Sequence, residues 1–397
     1  LSKKVCFFLT HTIENYFENY SLLTSWESYL DLYSKAIKIH CYDGVIYIPS
    51  LIAKETIELK HKFGHSIKII PLKNYITFIG KLFKELKKDE VSVIHYANFI
   101  SGIFIKTCWI LAKKYPTLAQ YSGGDILSYL KEIEEFNFLK RYLYKKIIKL
   151  AFNSCSLFLV PFVETANEIK QLNEMKVPSS KISKFQGACF DPEIFHEVDK
   201  EKARNELKLP KDGLNILCVS RIPKPHESLM EKDPFRLVKL FNKLLRISKR
   251  NVYLHIVGWG PGKDELLKLI EELNLNEKVF YHGKIEHSRL PIYYSACDFT
   301  FLPIGCNSIW GFSAIESFAC SRSVVAFRLS ASSSSNQIGG LLISSDIEKG
   351  AYELNNFIDS EEFILKGKEG YEFSKDFQLS VVGKRLVSIY ESFKTKY

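Results

Sequence analysis

The chain has 397 residues, 46% of them hydrophobic and 25% charged, an ordinary globular composition that excludes a disordered protein. The length favours two domains over one. A formal net charge of +10 points to an anionic partner, whether nucleic acid, lipid headgroup or substrate phosphate, without choosing among them. The nine cysteines include no C-x-x-C pair. Neither a zinc site nor a redox dithiol is signalled, and free buried thiols in a reducing compartment are expected. No run approaches the roughly 18 apolar residues that span a bilayer. VCFFLT near the start is too short for a secretory signal and is followed by polar THTIEN, so a cytoplasmic protein is expected.

In chain order, VCFFLT, GVIYIPS, SIKIIPL, SVIHYA and PTLAQYS read as buried strands. Helical stretches are expected at LIAKETIELKHKF and ITFIGKLFKELKK, and SLFLVPF and SKISKFQG follow. A second series begins at NILCVSRI and runs through NVYLHIVGWG, KVFYHG, CDFTFLPIG, SVVAFRL and GGLLIS, again with helical stretches between. Alternating strands and helices predict parallel sheets covered on both faces. Two such series predict two doubly wound, Rossmann-like domains. Residues 196–213 are polar and carry Pro210 and Gly213, which places the boundary there. The expected division is residues 1–197, residues 198–375, and a terminal helix over residues 376–397.

Ligands of open parallel sheets bind beyond the carboxyl ends of the strands, so residues just after strands are the candidates. In SIWGFSAIESFACSRSVVAF, Gly311 precedes a helix, where free backbone N–H groups suit a phosphate. Glu316 follows in that helix, either as a buried acceptor for a pair of ribose hydroxyls or as a helix-surface glutamate. Arg221 follows a strand and Lys232 lies in the next loop. They read as a pair that neutralises a diphosphate, or as two surface cations. HIVGWGPGKDE fails the P-loop spacing, and its glycines, Gly258 and Gly260 among them, are equally explained by turn geometry. Gly283 and Ile285 would stand where backbone groups read a nucleobase edge, while Tyr293 and Tyr294 read as packing residues. FLKRYLYKKIIKLAF, residues 138–152, is basic and apolar by turns. It reads as a helix for an anionic membrane surface, as a core helix with snorkelling lysines, or, last, as a nucleic-acid contact, for which no recognition motif is present.

Taken together, SR at 220–221, KDP at 232–234, GWGP at 258–261, VFYHG at 279–283, YYSACD at 293–298 and SIWGFSAIES at 308–317 resemble, in order and spacing, the nucleotide-binding half of GT-B glycosyltransferases of family 4. SVIHYAN, PTLAQYSGGDI, KISKFQGACFDPEIF and the closing FSKDFQLSVVGKRLVSIYESF resemble the rest of that family. The resemblance implies two Rossmann-like domains facing across a cleft, with a C-terminal helix crossing back to the first. It implies a retaining transferase that moves a sugar from a UDP- or GDP-sugar to a hydroxyl acceptor, such as a glycan or lipid-linked glycan. Arg221, Lys232 and Glu316 would be its central residues. Donor contacts would come from Gly258, Gly260, Gly283, Lys284, Ile285, Ser308, Trp310, Gly311 and Phe312. His11, His95, Ser122, Gly123 and Asp125 would face the cleft from the first domain.

No cofactor or metal is implied, and the absence of D-x-D agrees with leaving-group stabilisation by cations alone. If residues 138–152 are the membrane-surface helix and not the core helix, the expected place is peripheral, at the inner face of the cytoplasmic membrane. The chain departs from the family pattern at Ser308, where the first of two glutamates eight positions apart is expected. It departs again at Ser122, where a histidine often stands. Those departures make a noncatalytic nucleotide-sugar-binding subunit the alternative.

Overall fold

The structure, a computed structural model, describes residues 3–8, 25–51, 53–60, 66–97, 102–120, 137–160, 172–173, 175–225, 232–306, 311–329 and 334–393. It divides into two compact units: Leu1–Gly187 with Leu379–Tyr397, and Ala188–Gln378.

In the first unit, strands β1 (Lys4–Phe8), β2 (Asp43–Ser50), β3 (Ile57–Lys60), β4 (Ser66–Pro71), β5 (Val91–Tyr96), β6 (Thr117–Gln120), β7 (Leu157–Val160) and β8 (Ile182–Lys184) form one sheet in the order β3-β4-β2-β1-β5-β6-β7-β8. All neighbours are parallel except β3 with β4. The central strands are continuous apolar runs because helices cover both faces: every residue of β1 after Lys4 is buried. The helices are α1 (Ser25–Lys38), α2 (Tyr75–Lys88), α3 (Gly102–Leu111), α4 (Phe138–Ser154) and the C-terminal Leu379–Glu391, which packs on α1. Asn74 starts α2 by accepting from the N–H groups of Ile76 and Thr77, and Phe78, Leu82 and Leu86 bury one stripe of it.

Residues 57–60 are a strand and not part of the expected helix. In IELK, Ile57 and Leu59 alternate with charged residues, a period of two, and the segment pairs antiparallel with β4 from Ile57↔Ile69 to Lys60↔Ser66.

The second unit holds β9 (Leu214–Val219), β10 (Val252–Val257), β11 (Val279–Gly283), β12 (Phe299–Cys306), β13 (Ser323–Arg328), β14 (Asn336–Gln337) and β15 (Gly340–Ile343) in the order β11-β10-β9-β12-β13-β15-β14. All pairs are parallel except β14 with β15. Its helices are α5 (Lys200–Leu207), α6 (Pro234–Ile247), α7 (Lys263–Glu272), α8 (Leu290–Ala296), α9 (Phe312–Ala319), α10 (Ile347–Asp359) and α11 (Glu362–Ser374); the C-terminal helix of the first unit is then α12. The first strand of the series, β9, has β10 on one side and β12 on the other. The strand order therefore reverses between β9 and β12, which is where such sheets open a crevice.

The change of unit falls at Gly187/Ala188 and Gln378/Leu379, compared with the expected 197/198 and 375/376. The polar stretch at 196–213 misled the sequence reading. Ahead of it, Ala188, Phe190 and Phe195 already pack into the second unit's core, and the Phe190 N–H donates to the Phe377 carbonyl at 3.0 Å. All nine cysteines are free, and only Cys41 is exposed.

Candidate functional site

In the second unit, parallel pairing brings the ends of β9, β10, β11 and β12 to one edge. Ser220 and Arg221 follow β9, and Gly258, Trp259 and Gly260 follow β10. Lys284 and Ile285 follow β11, and Gly311 leads into α9. Two of these loops zip together. The Ser220 N–H donates to Val257 O at 3.0 Å, that of Ile222 to Trp259 O at 3.1 Å, and that of Gly262 to Ile222 O at 3.1 Å.

The glycines on this edge fall into two groups. A Cβ on Gly258 would lie 1.8 Å from Ser220 O, and one on Gly260 2.0 Å from Ile222 O. These two were read as donor contacts, but the α-carbon face of each is turned onto the neighbouring loop's backbone. They are glycine because two loops touch there. Gly258 also has a positive φ, +149°, as do Gly283 at +72° and Gly311 at +108°, but of these only at Gly283 and Gly311 would a Cβ meet nothing within 4 Å. Backbone in that region favours glycine, and open space beside a bare Cα lets a ligand approach the main chain.

Two cations sit on the same edge. Arg221 is exposed and Lys232 half-buried. Lys232 is fixed by its neighbour: Asp233 caps α6 by accepting from the Arg236 N–H, Pro234 occupies the first turn, and the Asp233 N–H donates to Pro303 O of β12 at 2.6 Å. Lys232 therefore stands beside the β9–β12 switch point. Its charge reaches β9: burial pushes the Cys218 thiol up to about 12, and Lys232 acts in the opposite direction.

Glu316 is 4% exposed, which removes the surface-glutamate alternative. Its Oε1 accepts from His287 Nε2 at 2.6 Å and its Oε2 from the Tyr294 hydroxyl at 3.2 Å. A carboxylate oxygen accepts, so in the tautomer that makes this hydrogen bond the His287 Nε2–H is the donor. The Phe195 ring lies 4.8 Å from the His287 ring. Burial pushes the Cys189 thiol upward, with the Glu316 and Asp191 charges adding to it. Sequence reasoning missed His287 and passed over Tyr294 as packing. Tyr294 is indeed fully buried, but its hydroxyl end holds the carboxylate.

Of the remaining expected donor residues, Lys284 is exposed, while Ile285 and Phe312 are half-buried. Ser308 and Trp310 lie outside the described residues, as do His11, Ser122, Gly123 and Asp125. His95 does not face a cleft. It is fully buried on β5, its Nδ1 is 2.9 Å from the Tyr390 hydroxyl, and its ring lies among those of Phe7, Tyr33 and Tyr390. Burial lowers its pKa to about 3, so it is neutral at pH 7. Among the described residues no cluster of three or more metal-ligating side chains occurs, and no helix is long and apolar enough to cross a membrane.

Helix α4 has two characters. Ile148, Ala151 and Phe152 are buried in the first unit's core. Toward the N-terminus, Phe138, Leu139, Tyr142 and Leu143 are each at least 50% exposed, with Lys140, Lys145 and Lys146 exposed around them.

Two doubly wound sheets, with a phosphate-suited helix start and a buried carboxylate at the switch point of the second, define the GT-B fold. Residues 199–362, within the second unit, match the family model of glycosyl transferases group 1. Two named relatives share parts of the chain. D-inositol 3-phosphate glycosyltransferase 1 of Catenulispora acidiphila is 25% identical over 51% of this chain and 50% of its own length. N-acetylgalactosamine-N,N'-diacetylbacillosaminyl-diphospho-undecaprenol 4-alpha-N-acetylgalactosaminyltransferase of Campylobacter jejuni is 37% identical over 33% of each. The chain thus spans half the length of the first and a third of the second. Among solved structures, Anabaena Alr3699/HepE in complex with UDP is similar with a TM-score of 0.70 and 14% identity, over 98% of this chain and 100% of that one.

Proposed function

We propose that this chain is a glycosyltransferase that moves a sugar from a UDP- or GDP-sugar to a hydroxyl acceptor on a glycan or glycolipid, without a metal ion and with retention of configuration. The observation that carries this reading is the pairing of Gly311 with Glu316. Gly311 opens α9 at φ +108° with open space beside it, and Glu316, just beyond the first turn, is a buried carboxylate. In this reading the diphosphate meets the α9 N-terminus, Arg221 and Lys232 offset its charge, Glu316 accepts from the ribose hydroxyls, and the backbone from Gly283 to Ile285 reads the base. The group 1 family match and the UDP complex of a structurally similar chain support it.

A thermal-shift series with UDP, GDP, ADP and their sugars tests the donor site. One nucleotide is expected to stabilise the chain by about 2.7 kcal/mol at 100 times its dissociation constant. EDTA should leave that shift unchanged, and Glu316→Ala should remove most of it. Absence of any shift from all of them defeats the reading.

The acceptor side is proposed from α4. Exposed Phe138, Leu139, Tyr142 and Leu143 beside exposed lysines suit the interface of an anionic membrane. The name of the Campylobacter relative gives it a diphospho-undecaprenol acceptor, and this chain is proposed to meet a lipid-linked acceptor at the inner face of the cytoplasmic membrane. Sedimentation with phosphatidylglycerol vesicles is expected, weakening with salt, while phosphatidylcholine vesicles leave the chain in solution. Reversing Lys140, Lys145 and Lys146 to Glu should cost at least about 1 kcal/mol of vesicle binding per position. Equal sedimentation of the variant and the parent chain would refute this placement.

A further inference from the structure

The Glu316 carboxylate is held by two side chains from outside its own helix. Tyr294 comes from α8, and His287 from the short 3-10 turn His287–Arg289. We infer that His287 is a positioning residue for the donor: its Nε2–H sets the Glu316 carboxylate so that the remaining lone pairs meet the ribose hydroxyls. This inference rests on the donor-site reading above.

The two holders differ in where they stand. Tyr294 is fully buried and its hydroxyl also lies 3.3 Å from Ser313 O, so it grips the carboxylate from the core. The His287 side chain is 43% exposed against 6% for that of Glu316. His287 therefore reaches the carboxylate from the solvent side, the side from which a ligand arrives. A glutamate has three side-chain torsions and would sample several rotamers, and a desolvated carboxylate with no donors is costly. Two donors fix one rotamer and compensate its burial. A carboxylate has about four lone-pair sites. Taking one on each oxygen leaves one on each, which matches the two O–H groups of a vicinal diol.

His287 is itself oriented. Its ring lies against that of Phe195, and its turn is closed by the Arg289 N–H donating to Glu286 O at 2.9 Å. That turn begins directly after the Gly283–Ile285 backbone proposed to read the base. The segment that would sense the base thus carries the side chain that sets the ribose carboxylate. A structural role alone would show up in stability, whereas a positioning role shows up in donor KM.

The test uses UDP and GDP as binding probes and the sugar of whichever nucleotide stabilises the full chain as substrate. His287→Ala is expected to raise donor KM and nucleotide Kd about ten-fold. It should leave kcat and acceptor KM close to those of the parent chain and lower the ligand-free Tm only slightly, because water can take the place of this 43%-exposed side chain and donate to the carboxylate. His287→Gln, which keeps an N–H donor, should recover most of the loss. In a Glu316→Gln background, His287→Ala should cause no further loss, because the partner is already altered. Unchanged donor KM in His287→Ala, no recovery in His287→Gln, or a full ten-fold loss persisting in the Glu316→Gln background each overturns the inference. Glu316→Ala, measured alongside, separates the two levels. If it weakens nucleotide binding while His287→Ala does not, only the role of His287 fails; if it has no effect, the donor-site reading fails with it.

Discussion

Replacing Arg221 with Ala is expected to lower kcat/KM by a factor of about 10² to 10³, the loss typical of removing one preorganised group from a developing negative charge. As the glycosidic bond to the donor breaks, the departing nucleoside diphosphate gains charge, and a cation already in place stabilises that state without reorganisation. Arg221 stands at the carboxyl end of β9. Lys232 stands where the capped start of α6 is tied to β12 through Asp233. Lys232→Ala should therefore cost a similar factor, and the double variant less than the product, since both act on one diphosphate. Arg221→Lys should recover only part, because an ammonium cannot offer the planar, two-pronged donor set of a guanidinium. Initial rates over a donor series decide the matter. A raised KM with intact kcat would mean that Arg221 holds the ground-state donor and not the leaving group. Parent-like values for both constants would remove the cations from the site. Arg221 is exposed, so its loss should change stability by no more than about 0.5 kcal/mol.

The parts of this site that could be read in the sequence were those encoded locally. Gly311, Glu316, Arg221 and Lys232 each sit at a fixed offset from an apolar strand or a helix start, and parallel topology alone sends such positions to one edge. What escaped were relations between distant segments. His287 lies in the polar run KIEHSR, and nothing local says that its ring reaches a carboxylate 29 positions later. The G-x-G at Gly258 and Gly260 was visible, but its use was not, because the sequence does not show that Ser220 to Pro223 run alongside it. His95 sits in SVIHYA, a strand buried on both faces, where periodicity cannot say which way a side chain points. β3 was missed for a related reason: a four-residue strand in a lysine- and glutamate-rich stretch offers too few positions to separate a period of two from one of 3.6.

A second large effect concerns stability. Asp298→Ala is expected to destabilise the second unit by about 3–5 kcal/mol, the cost of breaking a buried ion pair from one side. Asp298 is 7% exposed and accepts from three donors on two elements: its Oδ1 from Lys200 Nζ at 2.5 Å, and its Oδ2 from Arg204 Nη2 at 2.8 Å and from the Asn215 N–H at 2.6 Å. Lys200 and Arg204 belong to α5, and Asn215 is the second residue of β9, the strand that Arg221 follows. Removing the carboxylate strands the Arg204 guanidinium, which is 6% exposed, with the Ala296 carbonyl still accepting from its Nε. It also leaves the Asn215 N–H without its acceptor, a further desolvation cost. The loss should appear as a fall in Tm of roughly 10 °C for a unit of this size. Adding Arg204→Met should restore part of it, because a neutral apolar neighbour no longer needs the carboxylate, while the orphaned Asn215 N–H keeps the recovery incomplete. A calorimetric loss below about 1 kcal/mol for Asp298→Ala would show that water reaches Arg204 and that the junction of α5 with β9 does not depend on this charge.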